Sequence, residues 1–243
     1  MLCFFFFRSS ASEFSTDKEP KIAIILTEAG NDDAIIPELS AAEYPLTVAV
    51  LSRSYYAHDM CAELWSEGKE TILQMPMETG REGVKLRHPL LLKFNMQASR
   101  IDQYLNEAIE EVSYEGVPLV SGVVNYYGGK FMRGQEEMEA VAKVLHEKKL
   151  YFVEIKTAKR STAQAAMRFH HVPYAVHSVI LDANPAPEAI RVQWRRLIQI
   201  ALQKKRAIGI ARLTNTTWTT LKTLLPTIED QGVRLVYASE VVR

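Results

Sequence analysis

KIAIILTEAG, residues 21–30, is the stretch from which the fold can be read. Ile22–Leu26 is continuously apolar, with no polar alternation, and it closes on the polar pair Thr27 and Glu28. A strand wetted on one face alternates; a strand covered on both faces reads as an unbroken apolar run, which is the habit of parallel sheets. Similar runs recur at Leu46–Leu51, Thr71–Gln74, Leu119–Val124, Leu150–Val153, Val176–Leu181, Ala207–Ala211 and Arg234–Tyr237. Amphipathic stretches separate them, at Tyr56–Glu67, Ser99–Glu111, Gln135–Lys148, Ser161–His170, Pro187–Lys205 and Thr216–Glu229. In the second of these, Ile101, Leu105, Ala108, Ile109 and Val112 form the stripe of one buried helix face. Strand and helix alternating in this way predict an α/β fold: a single distorted (β/α) barrel of seven to eight parallel strands over residues 21–243. A doubly wound open sheet has the same periodicity and stays open as the alternative.

Composition narrows the function classes. Hydrophobic residues make up 47% and charged residues 24% of the 243, so the chain has enough apolar surface for a core. The 29 Lys and Arg balance the 29 Asp and Glu, and nucleic acid is not an expected partner without a basic excess. No apolar run reaches the 18 residues of a transmembrane helix. Cys3 and Cys61 are too few for a disulfide scaffold or a four-thiolate zinc site. Residues 1–20, MLCFFFFRSSASEFSTDKEP, differ from the rest, with six apolar residues followed by a Ser-rich stretch. They read either as a flexible leader (a wrongly chosen start included) or as a truncated export signal.

In a β/α barrel the chemistry gathers where the strands finish. Those ends carry Thr27 and Glu28, Gln74, Asn125 and Tyr126, Glu154 and Lys156, Asp182, and Arg212. Six of them, Glu28, Gln74, Tyr126, Glu154, Asp182 and Arg212, are expected to converge at one end of the barrel. Glu28, Asp182 and Glu154 are the candidate catalytic acids. Gln74, Asn125, Tyr126, Tyr127, Lys156 and Arg212 are the candidate binding residues. Glu28 and Asp182 serve equally well as strand-end acids capping the next helix, and Glu154 with Lys156 as a local ion pair. Tyr126–Tyr127, beside Gly128–Gly129, suit a sugar-stacking platform or a pair of core aromatics. Among the six histidines, His88 in the long Met75–Ala98 loop is the one placed to reach across a pocket mouth.

Six segments resemble those of the divergent polysaccharide deacetylases. They are KIAIILTEAG (21–30), ILQMPME (72–78), GVVNYYGGKF (122–131), LYFVEIKT (150–157), VILDAN (179–184) and AIGIARL (207–213). The family's counterparts run roughly IIIDDLG, LHLPME, GVNNHMGS, LFFVDSRT, VFLDN and AIGHP, in the same order and spacing. The resemblance implies a distorted β/α barrel, a carbohydrate substrate, and a metal-dependent deacetylase ancestry commonly working outside the cytoplasm. In such enzymes a carboxylate acts as base, while an Asp/His set holds a metal that polarises the acetyl carbonyl and activates water. Here Thr27 and Glu28 stand where the family has paired aspartates, and Gln74, Tyr126 and Arg212 where it has histidines.

These departures favour a divergent, catalytically impaired relative that binds a glycan or peptidoglycan fragment, or regulates, with no cofactor. An active deacetylase is the alternative, with zinc or another divalent metal on Glu28, Asn125 and Asp182. A metal-free glycosidase pairing Glu28 with Glu154 is a third reading, and a protein–protein module a fourth. The family resemblance suggests a periplasmic or extracytoplasmic location. Arg212, with five donors and a permanent charge, is expected to replace the metal by pairing with Glu28 or Asp182.

Overall fold

The computed structural model describes residues 19–243 apart from Asp33; the 1–20 leader lies outside the described residues but for its last two. Eleven strands are present among them: β1 (Lys21–Ala29), β2 (Thr47–Leu51), β3 (Glu70–Met77), β4 (Ser113–Tyr114), β5 (Val117–Pro118), β6 (Gly122–Tyr127), β7 (Tyr151–Glu154), β8 (Tyr174–Val176), β9 (Val179–Ile180), β10 (Arg206–Arg212) and β11 (Arg234–Leu235). Seven α-helices alternate with them: α1 (Ile36–Ala41), α2 (Ala57–Ser66), α3 (Ala98–Glu111), α4 (Gln135–Lys148), α5 (Ala163–Phe169), α6 (Pro187–Lys204) and α7 (Asn215–Leu224). One curled parallel sheet runs β8-β7-β6-β3-β2-β1-β10-β9, and the small β4–β5 hairpin stands apart from it. Together with its helices the sheet forms the distorted (β/α) barrel expected from the sequence.

Period-2 alternation divides the strands between two cores. Ala23, Ile25, Ala49, Ile72, Val124, Val153, Ile208 and Ile210 fill the inside of the curled sheet. Their neighbours Ile22, Ile24, Leu26, Val48, Val50, Leu73, Val123 and Phe152 pack outward, with Leu105, Met138, Trp194, Leu197 and Trp218 of the helices. Gly209 shows how closely that helical layer sits: a Cβ there would come within 2.8 Å of Leu197 Cδ2 and 3.0 Å of Ile24 Cδ1. Helix α6 starts with Pro187 in its first turn, and Lys205 ends it in the left-handed region at φ 68°.

Three strand expectations need correction. Val176–Leu181 is two strands, because the chain leaves the sheet at His177 and Ser178; β8 pairs with β7, and β9 with β10. The ends of the sheet therefore meet through a covalent link rather than a ladder. Arg234–Tyr237 supplies only the short β11, which fills the edge of β1 below β2: it pairs at Lys21 and Ile22, whereas β2 starts at Ile25. Leu119 and Val120 are buried but precede β6. The weakly patterned loop after β3 folds back onto that strand, with Leu92 bridging Met77 and donating its N–H to the Pro76 carbonyl at 3.0 Å.

Candidate functional site

A cavity of about 350 Å³ opens where the strands finish. Thr27, Glu28, Gln74, Asn125, Tyr126, Tyr127, Asp182 and Arg212 line it, over an apolar floor of Ile155, Ile180 and Ile210. Arg81 also reaches it. It comes from the loop after β3, and the sequence reading missed it because that loop has no periodicity to place a side chain.

Glu28 owes its position to an irregularity. Between Leu26 and Ala29, β1 has one residue more than β2, whose paired residues are Val48 and Val50. That extra residue makes a β-bulge, a device that re-aims side chains at strand ends. Glu28 sits in it at φ 62°, strained for a residue with a side chain. Its N–H donates to Gln74 Oε1 at 2.8 Å, so the buried Gln74 amide anchors the strained turn. The Glu28 carboxylate has no hydrogen bond among the described residues. Glu28 is exposed as a residue, yet partial burial of its carboxyl raises its pKa above the ordinary 4.5; the nearby Arg212 charge opposes this, and Asp182 adds to it.

Arg212 ends β10 opposite Thr27. Its Nε donates to Asp182 Oδ2 at 2.9 Å, and its backbone N–H donates to the same oxygen at 3.2 Å. The Asp182 side chain is 3% exposed and that of Arg212 46%, so a buried carboxylate is covered by a guanidinium whose far side meets solvent. The bond to Asp182 raises the Arg212 pKa further and keeps it charged. The expected salt bridge is thus present, to Asp182 rather than to Glu28.

The aromatic wall is built from backbone outward. Tyr127 has φ 60° and Gly128 φ 101°, so β6 turns sharply as it ends. The Tyr126 and Tyr127 rings meet edge to face with centroids 4.7 Å apart. Asn125, fully buried, fixes this turn: its amide donates to the Tyr127 and Ile155 carbonyls, and its Oδ1 accepts from the Ile155 N–H at 2.7 Å. The Tyr126 phenol is pushed up to about 12, chiefly by burial and then by Glu28, so it remains protonated.

Glu154 and Lys156 do not join the cavity, which corrects their assignment. Val153 and Ile155 face the barrel interior, so alternation turns Glu154 to the helical side. There it accepts from Tyr174 OH at 2.5 Å and Ser161 Oγ at 3.1 Å. No ion pair links it to Lys156, which is exposed. The pairing of Glu28 with Glu154 needed for a glycosidase is therefore absent. His88 is bound elsewhere, its Nε2 to the Ser52 carbonyl at 2.8 Å and its Nδ1 to the Leu90 N–H at 3.1 Å.

The residues present do not fit a divalent metal. Of the three donors considered, Asn125 Oδ1 is committed to Ile155 and Asp182 Oδ2 to Arg212. Thr27 Oγ1 donates to the Ala211 carbonyl at 3.2 Å, and Arg212 has no lone pair to offer. Among the described residues no group of three His, Cys, Asp or Glu gathers closely enough to hold a metal.

A family model assigns the chain, and solved structures share its fold. Residues 24–242 match the family described as divergent polysaccharide deacetylase. The chain is 26% identical over 197 residues to the uncharacterized protein YibQ of Escherichia coli K12, covering 78% of this chain but 57% of that one. The crystal structure of the uncharacterized protein ATU2773 from Agrobacterium tumefaciens C58 superposes with a TM-score of 0.83 at 20% identity, covering 92% and 89% of the two chains. A family 4 carbohydrate esterase from Streptomyces lividans, in complex with acetate, shares the fold at a TM-score of 0.53 and 10% identity, over 90% and 91%.

Proposed function

We propose, from the premise that the chain belongs to the divergent polysaccharide deacetylase family, that this domain binds a glycan or peptidoglycan fragment without deacetylating it. The observation that carries the reading is Arg212, bonded to Asp182 and facing Glu28. On this reading the Arg212 guanidinium supplies to the acid the positive charge that a metal would bring. Deacetylation of an amide requires a polarised carbonyl and an activated water. Glu28 alone is left to serve the second need, and among the described residues no metal-ligand set stands beside it for the first.

What remains suits recognition. The half-exposed guanidinium donates to sugar hydroxyls, the Glu28 carboxylate accepts from them, and the Tyr126–Tyr127 edge offers an apolar ring face. The ligand class follows from the family, as does an extracytoplasmic setting in the cell envelope. Because the chain spans 57% of the YibQ length, these roles are proposed for this domain alone.

Calorimetric titration with chitooligosaccharides and peptidoglycan fragments, run beside an acetate-release assay and metal analysis, tests the reading. Binding is expected, with no acetate and no stoichiometric zinc, and Glu28→Ala should leave the metal content unchanged. Stoichiometric zinc together with acetate release would overturn it in favour of the active deacetylase.

A further inference from the structure

A second cavity, of about 390 Å³, adjoins the first and shares Arg81, Tyr127 and Thr157 with it. Its lining is of opposite character. Arg81, Arg133, Lys159 and Arg160 contribute four positive charges, and no acid is among the residues that line it. The chain as a whole has no net charge, so this is a local concentration. Among the described residues none of the four forms an ion pair, although the same molecule pairs Arg53, Lys130 and Arg212 with carboxylates. Arg133 is held in place by its Nε, which donates to the Gly129 carbonyl at 3.0 Å, and this leaves the outer edge of its fork for something else. Gly80 and Gly129 keep the floor low: a Cβ would lie 3.0 Å from Arg133 Nη2 at the first and 3.2 Å from the Thr157 carbonyl oxygen at the second.

Like charges gathered around one concavity repel one another, and the field they focus attracts an anion. Guanidinium forks match the planar oxygens of carboxylate and phosphate, and lysine adds a point charge. We propose that this cavity binds an oxyanion, the carboxylate or phosphate substituent of a glycan whose sugar ring occupies the neighbouring cleft. Tyr127 forms the wall common to both. The inference rests on the glycan reading for the rest of the ligand, but its anion chemistry stands on the four cations.

The test uses the full chain and three oligosaccharides of equal length: a neutral one, one bearing the lactyl carboxylate of N-acetylmuramic acid, and one bearing a sugar phosphate. At low salt at least one charged ligand should bind about tenfold more tightly than the neutral one, and raised salt should shrink the difference. The two charged arms tell carboxylate from phosphate. Arg133→Ala with Lys159→Ala should abolish the advantage and leave neutral binding intact; Arg160→Glu, at an exposed position, repeats the test should the double variant fold poorly. Equal affinity for charged and neutral ligands overturns the inference and leaves the glycan reading standing. If no glycan binds, the glycan reading falls, and inorganic phosphate followed by amide NMR decides the anion site. Shifts at Gly80, Gly129 and Thr157 that vanish in the variant keep it, and their absence overturns it.

Discussion

The two ends of the barrel treat a glutamate in opposite ways. Where the strands start, Glu70 is buried and fully engaged: its Oε1 accepts from Thr47 Oγ1 at 2.6 Å, Tyr151 OH at 3.0 Å and the Ser239 N–H at 3.3 Å. Thr47 Oγ1 in turn accepts from the Ala238 N–H at 2.9 Å, so the C-terminal segment is tied across that end, and Val236, Ala238 and Val241 complete the inner core. Where the strands finish, Glu28 stands on a strained bulge with its carboxylate unbonded. A carboxylate closes one end and is left available at the other. The difference separates what holds the barrel from what it presents, since a buried acceptor is costly only when unmatched.

The strongest way to break this contrast is Glu70→Ala. Three donors lose their acceptor in a dry site, and stability should fall by about 3 kcal/mol, lowering Tm by about 6–12 °C in a calorimetric scan. At the open end, Asn125→Asp turns a carboxylate toward the Tyr127 and Ile155 carbonyls that the amide now serves. A loss of about 2 kcal/mol in urea denaturation is expected, with weaker glycan binding because the tyrosine turn loosens. Arg212→Ala should cost about 1–2 kcal/mol by the same measurement, between an exposed pair and a buried one, because Asp182 is buried but Arg212 is half-exposed. Arg212→Lys should recover part of it.

The smallest effect has a definite sign with pH. The Glu28 pKa is raised in the folded state, so the proton it holds favours folding. That contribution is complete below the unfolded value and is lost as pH rises through the folded one. Glu28→Gln should therefore be the more stable protein near pH 7, by less than about 1 kcal/mol given its exposure, with the advantage fading toward pH 4. An advantage that grew on acidification would mean that the Glu28 carboxylate is engaged in the fold rather than left open.

The barrel was legible because unbroken apolar runs and helical stripes are local signals. Most of the cleft was legible with it, since strand ends share one face in parallel units. Glu154 shows the limit of that rule: position at a strand end gives the level in the barrel, but side-chain parity decides the face, and Val153 and Ile155 had already taken the interior. The bulge at Glu28 depends on the register between β1 and β2, which neither strand encodes alone. Arg81 and the basic cavity lie on loops where spacing carries no geometry. Glu70 lies at a strand start, the end of the barrel opposite the one where β/α units gather their chemistry.

The pairing of β1 also shapes how the chain must be made. One edge of β1 is closed by β10, with Lys21 opposite Arg206 and Thr27 opposite Arg212, and by nothing nearer in the chain. A ribosome adding about 5–20 residues per second needs roughly 10–40 s between those two strands. Throughout that interval the nascent chain displays an unmatched apolar strand, an edge of the kind that recruits other chains. Covering that edge during synthesis is then a requirement on the cell that is separate from the stability of the finished barrel.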